Sequence, residues 1–119
     1  MEIINATIKN AEIQLDYDGA FLTAWIDLDY DGAGQGFGGF CFDQFDKTQN
    51  KRVGTAWGCE YIRQILEVIG VMKWSDLKGK NVRVKQDSNK VYAIGHIIKN
   101  RWFDPKENLK FLEPEEHDV

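Results

Sequence analysis

The sequence predicts an α+β fold: an antiparallel sheet or partly closed barrel in the order β-β-β-α-β-β, with one main helix packed on it. Three observations lead there. Residues 21–30 alternate, with Leu22, Ala24, Ile26, Leu28 and Tyr30 on one face and Phe21, Thr23, Trp25, Asp27 and Asp29 on the other. The hexapeptide Leu-Asp-Tyr-Asp-Gly-Ala occurs at 15–20 and again at 28–33. Asp-Gly is hairpin-turn chemistry, so both copies read as strand ends feeding turns. Finally, residues 56–69 carry apolar side chains at helical spacing, between Thr55 as N-cap and Gly70 as left-handed C-cap. Strands that follow one another without intervening helices favour antiparallel pairing.

The elements follow in order. Residues 3–15 alternate loosely and read as the first strand; Asp16-Tyr17-Asp18-Gly19 turns the chain into the second, 21–30. Within 34–43, the glycine-rich first half reads as a loop and Phe40-Cys41-Phe42-Asp43 as the third strand. Residues 44–54 are polar and basic, a loop before the helix. A turn around 74–79 leads into a strand at Val82-Arg83-Val84-Lys85, and Asp87-Ser88-Asn89-Lys90 turns into the last strand, 91–98. Residues 101–105 close the ordered part. The expected domain is 1–110, with 111–119 an acidic, flexible tail.

A chain of 119 residues fits one domain, and 43% hydrophobic with 13% aromatic residues excludes disorder. Cys41 and Cys59 share no CxxC spacing and read as free thiols of a reducing compartment. The start lacks a basic, apolar leader and no run reaches the roughly 18 apolar residues of a membrane span, so a cytoplasmic location is expected. Charge is unevenly spread. Residues 1–46 carry nine acids against Lys9 alone, while residues 47–110 carry fourteen bases against six acids. Such a split gives either an acidic end and a basic end or interleaved faces that cancel; a basic patch would suit phosphates.

Three patterns resemble chemical motifs. Asp27-Leu28-Asp29-Tyr30-Asp31-Gly32 opens like a calcium loop, but the twelfth position is Gly38 rather than a bidentate Glu, and the flank is strand. Solvated turn acids are the plainer reading of Asp27, Asp29 and Asp31. Gly34-Gln35-Gly36-Phe37-Gly38-Gly39 is formally GxGxxG, yet strand rather than helix follows, which removes the helix N-terminus that would hold phosphate. It marks a place where something packs against bare backbone, whether inside the fold or from a partner. Cys41, Cys59, His96 and His117 stand apart and spell neither a zinc site nor a Cys-His dyad. Trp57, Trp74 and Trp102 have Arg52, Lys73 and Arg101 nearby in sequence, a pairing used in base stacking but commoner in core anchoring.

Leu22-Thr23-Ala24-Trp25, Leu28-Asp29-Tyr30, the Gly34–Gly39 run, Val53-Gly54-Thr55-Ala56, 65–71, Trp74-Ser75-Asp76-Leu77, Ala93-Ile94-Gly95-His96 and Trp102-Phe103-Asp104-Pro105 together resemble a family of short proteins of phages and prophages. The resemblance spans roughly residues 3–105. In that family Tyr often follows the glycine run; Phe40 here lacks the hydroxyl. No catalytic residue is carried over.

That resemblance implies an anti-defence protein, not an enzyme, acting in the bacterial cytoplasm by stoichiometric binding. It would block a CRISPR-type nuclease or sequester a nucleotide signal, without cofactor or metal. The expected contact residues are Gly34, Gln35, Gly36, Phe37, Gly38, Gly39, Arg52, Trp57, Arg83, Lys85 and Arg101. The alternative is a nucleic-acid-binding accessory protein for phage replication or recombination, motivated by the basic middle block. A third reading, a hydrolase using Asp27, Asp29 and Asp31 with a divalent ion, has only their spacing behind it. Bulky residues on both faces of the second and last strands also require either a sheet curled into a closed or half-closed barrel or a covering second subunit, and a homodimer is the expected outcome.

Overall fold

The computed structural model describes residues 2–30, 32–88 and 90–112. Met1, Asp31, Asn89 and residues 113–119, His117 among them, lie outside the described residues. Eight strands appear in chain order: β1 (Glu2–Asp16), β2 (Phe21–Tyr30), β3 (Ala33–Gly38), β4 (Asp43–Asp46), β5 (Lys51–Gly54), β6 (Asn81–Asp87), β7 (Lys90–His96) and β8 (Trp102–Phe103). The main helix α1 (Ala56–Ile69) sits between β5 and β6, and a short helix α2 (Pro105–Asn108) follows β8. Six strands form one antiparallel sheet, ordered β3-β2-β1-β6-β7-β8, while β4 and β5 pair separately.

β1 holds the sheet together because it pairs twice. Its residues 2–7 bond to β6 and its residues 7–16 to β2. A bulge at Lys9 interrupts the pairing with β2 and bends the strand. The sheet curls without closing. β3 and β7 have three strands between them, yet their Cα atoms approach within 8 Å; four flat inter-strand spacings would hold them about 19 Å apart. α1 fills the concave side. Tyr61 stands at its centre, with ring centroids 4.9 Å from Phe42, 5.0 Å from Phe103 and 5.6 Å from Phe40. Ile8, Ile26, Leu28, Val82, Val84, Ile94 and Phe103 line the same core. Among the described residues the buried Tyr61 hydroxyl has no hydrogen-bond partner, and burial pushes its pKa up.

Both ends of α1 follow the sequence reading. Thr55 Oγ1 accepts the Gly58 N–H at 3.1 Å, and Gly70 (φ 88°) caps the C-terminus. The hairpin after Asp16 forms as well, with Asp16 paired to Phe21, and Tyr30 pairs with Ala33 within the second repeat. Two assignments need correction. The glycine run is itself strand β3, whereas residues 39–42 leave the ladder after Gly39 N–H bonds the Ala24 carbonyl. Residues 44–54, read as loop, contain the β4–β5 hairpin. The chain also continues past residue 105 as structure, with Leu109 fully buried. No helix among the described residues is long and apolar enough to cross a membrane.

Candidate functional site: the basic outer face of β6 to β8

The expected contact residues do not assemble into one surface. Phe37 and Trp57 lie in the core, at 2% and 4% exposure. Trp57 is therefore a core anchor of α1, 5.8 Å from the Tyr61 ring, rather than a presented stacking surface. The helical spacing that sets Trp57 four residues before Tyr61 carried this signal; proximity to Arg52 in sequence did not. Arg52 is also turned inward. Its Nη2 donates to Asp43 Oδ1 at 2.8 Å and to the Asp43 carbonyl at 3.0 Å, and reaches Cys41 Sγ at 3.3 Å. Burial raises the Asp43 pKa, but the bonds from Arg52, the Leu22 amide and the Cys41 thiol outweigh it and hold the carboxyl low. Burial pushes the Cys41 thiol up. This cluster ties the β4–β5 hairpin to β2, since Leu22 N–H donates to Asp43 Oδ2 at 3.0 Å.

The glycines of β3 have an internal reason. Trp25 projects to the convex face of β2 and lies over them. A Cβ at Gly36 would stand 3.2 Å from its ring, and one at Gly39 2.5 Å. Gly38, at φ 136°, has the Ala24 carbonyl oxygen where a Cβ would go. The Trp25 indole N–H donates to Asp16 Oδ2 at 2.9 Å. Gly36, Gly38 and Gly39 thus accommodate the fold, and only Gly34 and Gln35, with the open side of Gly36, border a groove.

Arg83 and Lys85 come together on the convex face of β6–β8, while Arg101 points to the other side, toward the end of α1. The register sets Arg83 opposite Gly95 and Gly95 opposite Trp102, so Arg83, Gly95 and Trp102 share one face. Gly95 lets the Trp102 ring lie flat on the strand: a Cβ there would meet the ring at 2.6 Å. The Arg83 guanidinium carbon is 4.9 Å, and the Lys85 ammonium 4.6 Å, from the Trp102 ring centre. Cations over the negative face of an indole are attracted by its quadrupole. Arg83 is held further by donating to the His96 and Lys99 carbonyls, each at 2.8 Å.

His96 turns the chain at the end of β7. Its Nδ1 accepts N–H from Ile98 at 3.0 Å and from Lys99 at 2.9 Å, which leaves the proton of the neutral ring on Nε2. Desolvation lowers its pKa, and so do the charges of Arg101, Lys99, Arg83 and Lys80. Arg101 reaches the end of α1, its Nη2 lying 3.3 Å from where a Gly70 Cβ would stand. There it faces the negative pole of a helix with no basic residue in its own last turn. Lys80, Lys99, His96 and Trp102 were not among the expected contacts. The adjacency of Arg101 to Trp102 was visible in sequence; the convergence of three strands and one turn was not.

Asp27 and Asp29 lie exposed on the acidic half of the same convex face, and Asp31 falls outside the described residues. Among the described residues no three His, Cys, Asp or Glu side chains are grouped to hold a metal ion. Cys41 is buried and Cys59 exposed, both unbridged. Set against family models, curated proteins and solved structures, the chain matches none, so the site is read from its geometry alone.

Proposed function

We propose that this protein is a stoichiometric binder whose basic β6–β8 face grips the phosphate backbone of a nucleic acid. In the setting implied by the sequence resemblance, that binding serves phage anti-defence by masking the nucleic acid a CRISPR-type nuclease must engage. The observation that carries the reading is the convergence of Lys80, Arg83, Lys85, Lys99 and Arg101 around Trp102 and His96. Filling a nuclease's own nucleic-acid channel would call for an acidic surface, so the basic face favours the nucleic acid over the enzyme. Both faces of Trp102 are occupied, by Gly95 beneath and by two cations above. Recognition is then electrostatic, with little base stacking and little sequence preference.

A nucleic-acid accessory role in replication or recombination uses the same contacts and differs in needing no nuclease target. The acids of β2 sit two strands away from the bases of β6, so a strand laid along β6–β8 need not cross them. A homodimer remains part of the proposal in narrower form. The convex face is largely polar, so the apolar surface for a second copy is Ile13 and Leu15, exposed on the concave side of the β1–β2 arm.

Titration of a labelled single-stranded oligonucleotide over a range of salt tests the reading, with light scattering on the same samples. Five phosphate contacts predict a log–log salt slope of about −3.5. Arg83→Ala combined with Lys85→Ala should flatten that slope by more than 1 and weaken binding at least about tenfold. Absence of binding at about 50 mM salt, where such contacts are strongest, overturns the function. A mass near 13.7 kDa removes the dimer alone.

A further inference from the structure

On the opposite half of the convex face lies a groove of about 590 Å³ lined by Lys9, Asn10, Asp27, Gly34, Gly36 and Lys78, among others. We propose that it binds a small phosphorylated molecule of nucleotide size, with Lys9 and Lys78 on the phosphate and Asp27 on an amine or hydroxyl of the rest. This goes beyond the proposed grip on a nucleic-acid backbone and uses none of its residues.

Lys9 and Lys78 are set by the backbone at two fixed places. Lys9 is the bulged residue of β1, and a bulge re-aims a side chain that regular alternation would send to the other face. Lys78 sits beside it because its loop continues the ladder: Gly79 N–H donates to the Ile8 carbonyl at 2.7 Å, and Ile8 N–H to the Lys80 carbonyl at 2.9 Å. The far wall is β3. Gly34 and Gly36 leave its backbone bare at an open sheet edge, so a ligand can approach main-chain groups that side chains would shield. Gly36 is already accounted for by Trp25. Gly34 is not: a Cβ there would meet only the Leu28 carbonyl oxygen, at an ordinary 3.7 Å.

The charges in the groove are uncommitted. Lys9, Lys78 and Asp27 form no ion pair or hydrogen bond among the described residues. Asp27 pairs across the sheet with Asn10 and with Gly36, which puts its carboxylate between the lysines and the bare strand. Two cations beside one anion suit a ligand that is itself divided, with phosphate at one end and hydrogen-bond donors at the other. An inorganic anion would be attracted by the lysines but repelled by Asp27. The volume lies within the roughly 300–1,000 Å³ of small-molecule sites.

The experiment is calorimetric titration at low salt of the whole chain with AMP, and separately with pyrophosphate. Saturable one-to-one binding of AMP is expected. Lys9→Ala with Lys78→Ala should weaken it by about tenfold or more, the scale of lost charge-assisted hydrogen bonds. Asp27→Asn should weaken AMP while strengthening pyrophosphate, opposite signs that a general loss of structure does not produce. Gly34→Ile, on an edge strand whose geometry accepts a side chain, should block the groove with its charges intact. Arg83→Ala with Lys85→Ala should leave AMP binding unchanged; if it removes AMP and oligonucleotide together, the nucleotide belongs to the β6–β8 face. No AMP binding by the unaltered chain, or binding indifferent to both lysines, overturns the proposal.

Discussion

Two tryptophans lie flat on the convex face of this sheet, each on glycine, and the two regions around them have opposite character. Trp25 covers Gly36 and Gly39 in the acidic half and gives its N–H to Asp16. Trp102 covers Gly95 in the basic half and lies under Arg83 and Lys85. The steric solution is shared: a large ring rests on a pleated strand only where the residue beneath has no Cβ. The difference lies in the charged neighbours. A carboxylate at the indole N–H consumes the one polar group of Trp25 and locks a hairpin, whereas cations above Trp102 keep their charge directed outward. The same packing device therefore anchors structure at one end and displays charge at the other.

The largest effects should come from the glycines beneath the rings. Gly39 combines φ +81° with ring atoms of Trp25 at 2.5 and 2.6 Å from a would-be Cβ. Gly39→Ala adds left-handed backbone strain to overpacking, about 2–5 kcal/mol in urea denaturation. Gly95 meets Trp102 at 2.6 Å and the Arg101 carbonyl oxygen at 2.9 Å, without a positive φ. Gly95→Ala should cost about 1–3 kcal/mol. Equal losses at the two sites would break the comparison, since backbone conformation would then add nothing in the acidic half.

That asymmetry also shows what the sequence could reveal. The helix caps at Thr55 and Gly70, the β1–β2 hairpin at Asp16 and the alternation of β2 are local signals, and each reappears in the structure. The third strand was misplaced because glycine disfavours strands, so the run 34–39 reads as loop until Trp25 is known to lie across it. That contact spans more than ten residues and leaves no periodic trace. The β4–β5 hairpin was hidden likewise, its stability resting on Arg52 reaching back to Asp43. Of the site, Arg83 and Lys85 shared a legible strand face. The meeting of β6 with the His96–Arg101 turn depended on register, and Lys9 was visible only as a break in the alternation of β1.

Exchanging the tryptophans sharpens the comparison at smaller amplitude. Trp25→Phe loses the bond to Asp16 and should destabilise the fold by about 1 kcal/mol, with oligonucleotide affinity unchanged. Trp102→Phe keeps a ring on Gly95 but weakens the attraction for Arg83 and Lys85, because indole is the stronger cation partner. Its stability loss should be the smaller of the two and its loss of oligonucleotide affinity the larger. Thermal melts and binding curves on both variants give the four numbers. If the two variants change stability and affinity in the same proportion, the rings do not differ in role.

The smallest effect is read at one imidazole. Desolvation and the charges of Arg101, Lys99, Arg83 and Lys80 hold the folded pKa of His96 below its ordinary value of about 6.5. A lowered folded pKa means that the unfolded chain takes up the proton first as pH falls. The contribution of His96 to stability is therefore full above the ordinary value and is lost as pH drops through it toward the folded pKa. Protonation at Nδ1 would also break the two N–H bonds it accepts from Ile98 and Lys99. An anionic ligand on β6–β8 offsets the four cations, so it must raise this pKa, and protonation of His96 must in turn favour the ligand. Proton NMR titration of the imidazole, alone and with saturating oligonucleotide, should show a midpoint below the ordinary value that moves upward on binding. A midpoint unmoved by a ligand known to be bound would place that ligand away from His96, and the basic half would lose its role.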